Sequence, residues 1–174
     1  MSKNYSAALP LAHLALRILI IVNWVVAAGI IVLLFVVPHE QWLMSEFDLT
    51  PSPDTTRLIW GMRAVAVLGL VSTPINHVIL KRLLAIVGTV RAGDPFVATN
   101  AQRLQGIAWV LLALQCLGIV VGAINRGIST PAHPVHLNAS ASSLSGWLAV
   151  LLAFVLARVF AEGARMRDDL AGTV

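Results

Sequence analysis

Four long apolar runs set the rhythm of the chain, over residues 16–37, 58–80, 107–124 and 144–161. Each matches the roughly 20 apolar residues that carry an α-helix across about 30 Å of hydrocarbon. The intervals between them differ in kind. Residues 38–56 mix Trp42, Leu43, Phe47 and Leu49 with Glu40, Glu46, Asp48 and Asp54 before Pro51 and Pro53, which predicts an extended second half. Residues 125–143 are small, polar and broken by proline. The interval over residues 81–106 keeps a helical pattern: Leu83, Leu84, Val87 and Val90 recur on one face, which predicts an amphipathic extension of the second helix as far as Gly93.

Punctuation in that third interval predicts a turn. Gly93 followed by Pro95 is the order of a left-handed helix cap and a helix stop. Thr99 and Gln102 have the spacing of a capping box, which predicts a new helix from Thr99. Within the spans, Pro74 cannot donate to Leu70, and the hydroxyls of Ser72 or Thr73 are expected to reach the freed carbonyl at a kink.

Composition confirms the class. Hydrophobic residues make up 58% of 174 and charged residues 11%, against about 25% charged in a soluble domain. Too little polar sequence remains to cover four buried apolar helices in water. The first run is longer than the apolar core of a signal peptide, about 7 to 15 residues, and Val36-Val37-Pro38 offers no small-residue cleavage site, so it is read as a retained span. The expected fold is an all-α, integral-membrane four-helix bundle, one membrane domain over residues 1–174.

Charge then sets the expected orientation. With alternating spans, Lys3, Arg17, Lys81, Arg82, Arg91, Arg103, Arg158, Arg165 and Arg167 fall near one face, and only Arg57, Arg63 and Arg126 near the other. Lysine and arginine gather on the cytoplasmic side, so both termini and the 81–106 connector are expected there, in a bacterial inner membrane. The net charge of +4 is this bias, and it calls for membrane lipid around the chain, with no direct nucleic-acid partner.

Candidate chemistry is sparse. Asn23, Arg63, Asn76, His77, Gln115 and Arg158 are the intramembrane polar side chains singled out as candidates. Intramembrane polar groups either line a path or tie helices together. No acidic residue lies within a span, which favours ties, with a proton or small-solute path through Asn23, Asn76, His77 and Arg158 as the alternative. Gly118 and Gly122 form a GxxxG, and Ala149, Ala153, Ala157 and Ala161 repeat every four residues, both patterns that permit close helix packing or a homodimer. His133 and His136, with His39 on the same face, are an alternative transition-metal set, and His13 with His77 an alternative haem pair. The sole cysteine, Cys116, falls mid-span, and no G-x-S-x-G, H-E-x-x-H or phosphate-binding glycine loop occurs, so an enzyme is not expected.

Residues 90–109, VRAGDPFVATNAQRLQGIAW, and 156–174, LARVFAEGARMRDDLAGTV, resemble the bacterial membrane proteins grouped as domain of unknown function 2975. The resemblance covers about Leu16 to Val174, and its most specific parts are Gly93-Asp94-Pro95-Phe96, Asn100, Leu104 and the tail from Gly163. It implies a four-span membrane protein without an assigned activity, from genes that often neighbour small helix-turn-helix regulators of the Xre type. No catalytic or ligand residue follows from it. The expected function is a regulatory or interaction protein docking a cytoplasmic partner such as a helix-turn-helix regulator, with Phe96, Arg103, Arg165 and Arg167 as anchors. The alternative is a small transporter or a haem- or metal-binding membrane protein.

Overall fold

The computed structural model describes residues 5–36, 53–128 and 143–171. They form four helices: α1 (Tyr5–Val36), α2 (Pro53–Arg91), α3 (Ala98–Ile128) and α4 (Leu144–Ala171). All four are long and apolar enough to cross a membrane.

The helices extend beyond the apolar runs that define them. α1 starts at Tyr5, so His13 stands inside the helix and Pro10 is accommodated in it. Residues 53–56, expected to be extended, are the first turn of α2, which Pro53 opens because proline at a first helical position forfeits no hydrogen bond. α2 then runs 39 residues, through Pro74, to Arg91. At about 1.5 Å per residue it outreaches a bilayer core, and its last turns are the amphipathic extension expected from Leu83 to Val90. At Pro74 the expected repair differs: Ser72 Oγ and Thr73 Oγ1 both donate to Gly69 O, at 2.7 and 3.3 Å, and not to Leu70. Each hydroxyl reaches back three or four residues along its own helix, the ordinary range of such bonds.

Packing is strictly sequential. α1 lies on α2, α2 on α3 and α3 on α4, and no other helix pair touches among the described residues. Among the described residues α1 therefore has one neighbouring helix. Ala27 is its only buried residue of known exposure, while Ile21, Val25, Val32 and Phe35 are more than half exposed. A helix apolar on every side meets lipid tails at no cost, so one seam suffices. That seam is polar: Asn23 Nδ2 donates to Thr73 O at 3.1 Å, and Trp24 Nε1–H donates to His77 Nδ1 at 3.3 Å.

The other two seams are built by side chains lying on helical glycines. Ile128 covers Gly61 and the Arg82 guanidinium covers Gly106, which sets the antiparallel register of α2 on α3. On the other side of α3, the Gln115 amide covers Gly146, and Trp109 meets Phe154 edge to face with ring centroids 5.3 Å apart. α4 turns Val150, Ala153, Ala157 and Ala164 into that seam, and these are its buried residues.

Candidate functional site

The turn between α2 and α3 is the most highly specified part of the molecule. Gly93 has φ +85°, its N–H reaches Val90 O and the Asp94 N–H reaches Thr89 O, both at 3.1 Å. This is a Schellman cap, with the two bonds that satisfy the last carbonyls of a helix and a left-handed residue that glycine supplies without strain. The expected cap at Gly93 and stop at Pro95 stand.

The start of α3 differs from expectation. The helix begins at Ala98, one residue before Thr99, and among the described residues no hydrogen bond joins Thr99 to Gln102. Asn100 organises the turn in their place. It is wholly buried, and its Nδ2 donates to Thr89 Oγ1 at 2.6 Å and to Pro95 O at 2.9 Å. Its Oδ1 accepts from Arg103 Nη1 at 2.8 Å, while Thr89 Oγ1 donates onward to Ile86 O at 2.7 Å. Both amide protons and the amide oxygen are used, so the side chain has one arrangement that satisfies it.

A second layer clamps the turn to α4. Phe96 rests on Phe160, ring centroids 5.4 Å apart, and a Cβ added at Gly163 would stand 2.8 Å from its ring. Beside it Asp94 pairs with Arg167. The pair draws the Arg167 guanidinium away from solvent only in part, since both side chains remain about half exposed, so its value is in register more than in energy. Of the four expected docking anchors, Phe96 and Arg167 are thus engaged with another helix of the chain. The other two differ: Arg103 is held by Asn100, and Arg165 projects outward with Glu162 at 4.0 Å. Phe96 still shows 42% of its surface. Next to the clamp a groove of about 410 Å³ runs between α3 and α4, lined by Gln102, Gln105, Phe154, Arg158, Arg165 and Asp168 among others.

The intramembrane polar residues do not assemble into one path. Asn23 and His77 both lie at the α1–α2 seam but bond different partners, Thr73 O and Trp24 Nε1; Asn76 and Gln115 line a cleft among α2, α3 and α4, and Arg158 belongs to the α3–α4 groove. Arg63 lies with its guanidinium 5.2 Å from the Trp60 ring, a cation–π contact. Of the small-residue patterns, Gly118, Ala153 and Ala157 are buried, whereas Ala149 is exposed and Gly122 meets only Arg126 of its own helix. His39, His133 and His136 lie outside the described residues, and among those described no three His, Cys, Asp or Glu side chains gather.

Sequence reasoning missed three features: the clamp from Asp94 and Phe96 to α4, the Arg82–Gly106 contact and the hub role of Asn100. The one available signal was the placement of Gly106, Gly146 and Gly163 inside helical stretches, where glycine is costly unless something lies against it.

The fold and its apolar belts define an all-α, multi-pass membrane protein. More particularly, the profile of a family described as "Protein of unknown function (DUF2975)" matches residues 49–174, and the chain belongs to that family. The match takes in α2, the turn, α3 and α4; α1 lies before it, so the resemblance is shown from residue 49 rather than from Leu16. Neither a curated protein nor a solved structure matches the chain.

Proposed function

We propose that this is a non-catalytic interaction protein of a bacterial inner membrane, with both termini and the α2–α3 turn in the cytoplasm, where it docks a soluble partner such as a small helix-turn-helix regulator. The observation that carries this reading is the clamped turn. A fully satisfied buried amide, a Schellman cap and an aromatic and ionic clamp to α4 hold it in one shape, and a preformed surface binds with less ordering cost than a flexible one. The lysine and arginine bias supports the orientation. The neighbouring regulator genes implied by the family resemblance support the kind of partner.

On this reading Arg165, the outward arginine, and the open edge of Phe96 meet the partner, while Arg167 and Arg103 hold the platform. Central arginine and aromatic anchors are the residues on which such interfaces most often depend. Pull-down from gently solubilised membranes tests it. Arg165→Gln should insert normally, melt as wild type and recover at least tenfold less partner; Phe96→Ala should lose partner and also loosen the clamp, seen as faster cleavage at the turn. Equal recovery by both variants, or none by wild type, contradicts the proposal.

A further inference from the structure

The groove between α3 and α4 holds a cation without a counter-charge at the edge of the apolar belt. Arg158 lies three residues inside the end of the run 144–161. Its side chain is exposed, and it neither pairs nor hydrogen-bonds with any described residue. From that position an arginine reaches headgroup depth by extending its stem. What it meets there depends on the rest of the groove.

Helix register brings open donors to the same level. α3 and α4 run antiparallel, with Phe96 on Phe160, Trp109 on Phe154 and Gln115 on Gly146. Gln105 and Arg158 each stand about one helical turn from the Trp109–Phe154 contact, on the side of the α2–α3 turn, so carboxamide and guanidinium share a level. Gln102 follows on α3 and Arg165 on α4, and all four line the groove. Both glutamines are exposed and, like Arg158, make no hydrogen bond to a described residue. Arg165 has Glu162 of its own helix at 4.0 Å. The floor beneath them is small, with Ala101, Ala157 and Ala164 buried, so the polar side chains border open space.

Charge and depth select the occupant. The charged residues lining the groove are Arg158, Arg165 and Asp168, two cations against one anion. Asp168 stands at the outer end, about 15 Å of helix beyond Arg158, with Arg167 Nη2 at 3.6 Å. The part around Arg158 is therefore cationic. In the other direction the lining turns apolar at Phe154, inside the run 144–161. A ligand that follows the groove carries an anion at one end and hydrocarbon at the other, as a phospholipid does. A zwitterionic headgroup would set its ammonium beside two arginines, whereas a net-anionic one brings no such cation. The volume, about 410 Å³, falls within the range that holds a small organic group. We propose that this groove binds an anionic phospholipid from the leaflet at this end of the helices, its phosphate accepting from the Arg158 guanidinium, its headgroup oxygens from Gln105 and Gln102, and an acyl chain running past Phe154. Basic pockets between spans suit such headgroups, and a guanidinium matches phosphate with two parallel N–H bonds. The site needs neither a protein partner nor a particular orientation of the chain, so it is independent of docking at the turn.

The test titrates the purified full-length protein, in uncharged detergent, with dioleoyl phosphatidylglycerol. Dioleoyl phosphatidylcholine is the net-neutral control and sodium phosphate the soluble anion. Bound lipid is read by native mass spectrometry and its effect by melting temperature. Wild type should bind phosphatidylglycerol about tenfold more tightly than phosphatidylcholine and melt higher with it, while phosphate leaves melting unchanged. Arg158→Gln should weaken phosphatidylglycerol binding about tenfold, the loss of a charge-assisted contact, yet melt as wild type without lipid, because its side chain gives up no partner in the fold. Arg158→Lys should keep part of the affinity, and Gln105→Leu should lose it severalfold. Arg91→Gln makes the same change of charge at the same end of the molecule but outside the groove, and should bind as wild type. Equal binding of the two lipids, an unchanged affinity in Arg158→Gln, or an equal loss in Arg91→Gln overturns the proposal. So does stabilisation by phosphate alone that equals the lipid's, or an Arg158→Gln protein that melts well below wild type without lipid.

Discussion

Asn100 and Gln115 are both carboxamides of α3 and both buried, yet they stand in opposite states. Every polar side-chain atom of Asn100 has a partner within the turn, whereas Gln115 Nε2 has none among the described residues. Asn100→Ala should therefore lower stability by about 1–3 kcal/mol, because it strands the groups that Asn100 satisfies; thermal melting in detergent, with faster tryptic cleavage at Arg91 or Arg103, reads the loss. Gly93 gives a cleaner backbone test. Nothing lies within 4 Å of a Cβ added there and its φ is +85°, so Gly93→Ala should cost about 1–2 kcal/mol of purely conformational origin, and Gly93→Asn less. Melting curves of the two variants side by side check the order. The Gly93–Pro95 turn was legible in the sequence because it depends on backbone chemistry local to those residues. The capping box at Thr99 was not, because what starts α3 is a side chain bonded to Thr89 eleven residues earlier, and spacing alone does not reveal which partner a buried asparagine finds.

At the scale of helices, small residues mark where backbones can approach but not which neighbour arrives. The Gly118–Gly122 pair reads as one motif, yet only Gly118 is buried, and the space over Gly122 borders Arg126 of the same helix. A tight contact stands instead at Gly61, which carries no motif, where a methyl group would overlap the Ile128 side chain. Gly61→Ala should accordingly destabilise by about 1–3 kcal/mol, the usual cost of overfilling a packed contact, while Gly122→Ala should melt within error of wild type. Equal melting of the two would show that Ile128 yields freely. The four spans themselves were plain from the apolar runs, since length and hydropathy alone decide whether a helix suits a bilayer. Their ends were legible in part: the run of α2 on toward Gly93 was expected, whereas the starts of α1 at Tyr5 and of α2 at Pro53 were not, because helical hydrogen bonding does not stop at the membrane boundary.

Seen whole, the described residues form a row of helices joined by an amide and an indole between α1 and α2, by side chains on glycines from α2 to α4, and by a clamp from the α2–α3 turn to α4. The family match begins near the start of α2 and takes in every element that builds the turn. The row lets α2 and α4 stand apart over α3, which opens the cleft at Gln115. All of this places the surface with the most defined shape at one end of the helices, and the account of function depends on that end facing the cytoplasm. Cysteine accessibility tests this directly. In a Cys116→Ala background, Thr99→Cys at the turn and Thr56→Cys at the opposite end of α2 are exposed to a membrane-impermeant maleimide in intact cells. The account predicts labelling of Thr56→Cys at once and of Thr99→Cys only after the membrane is permeabilised; labelling of Thr99→Cys in sealed cells would contradict it.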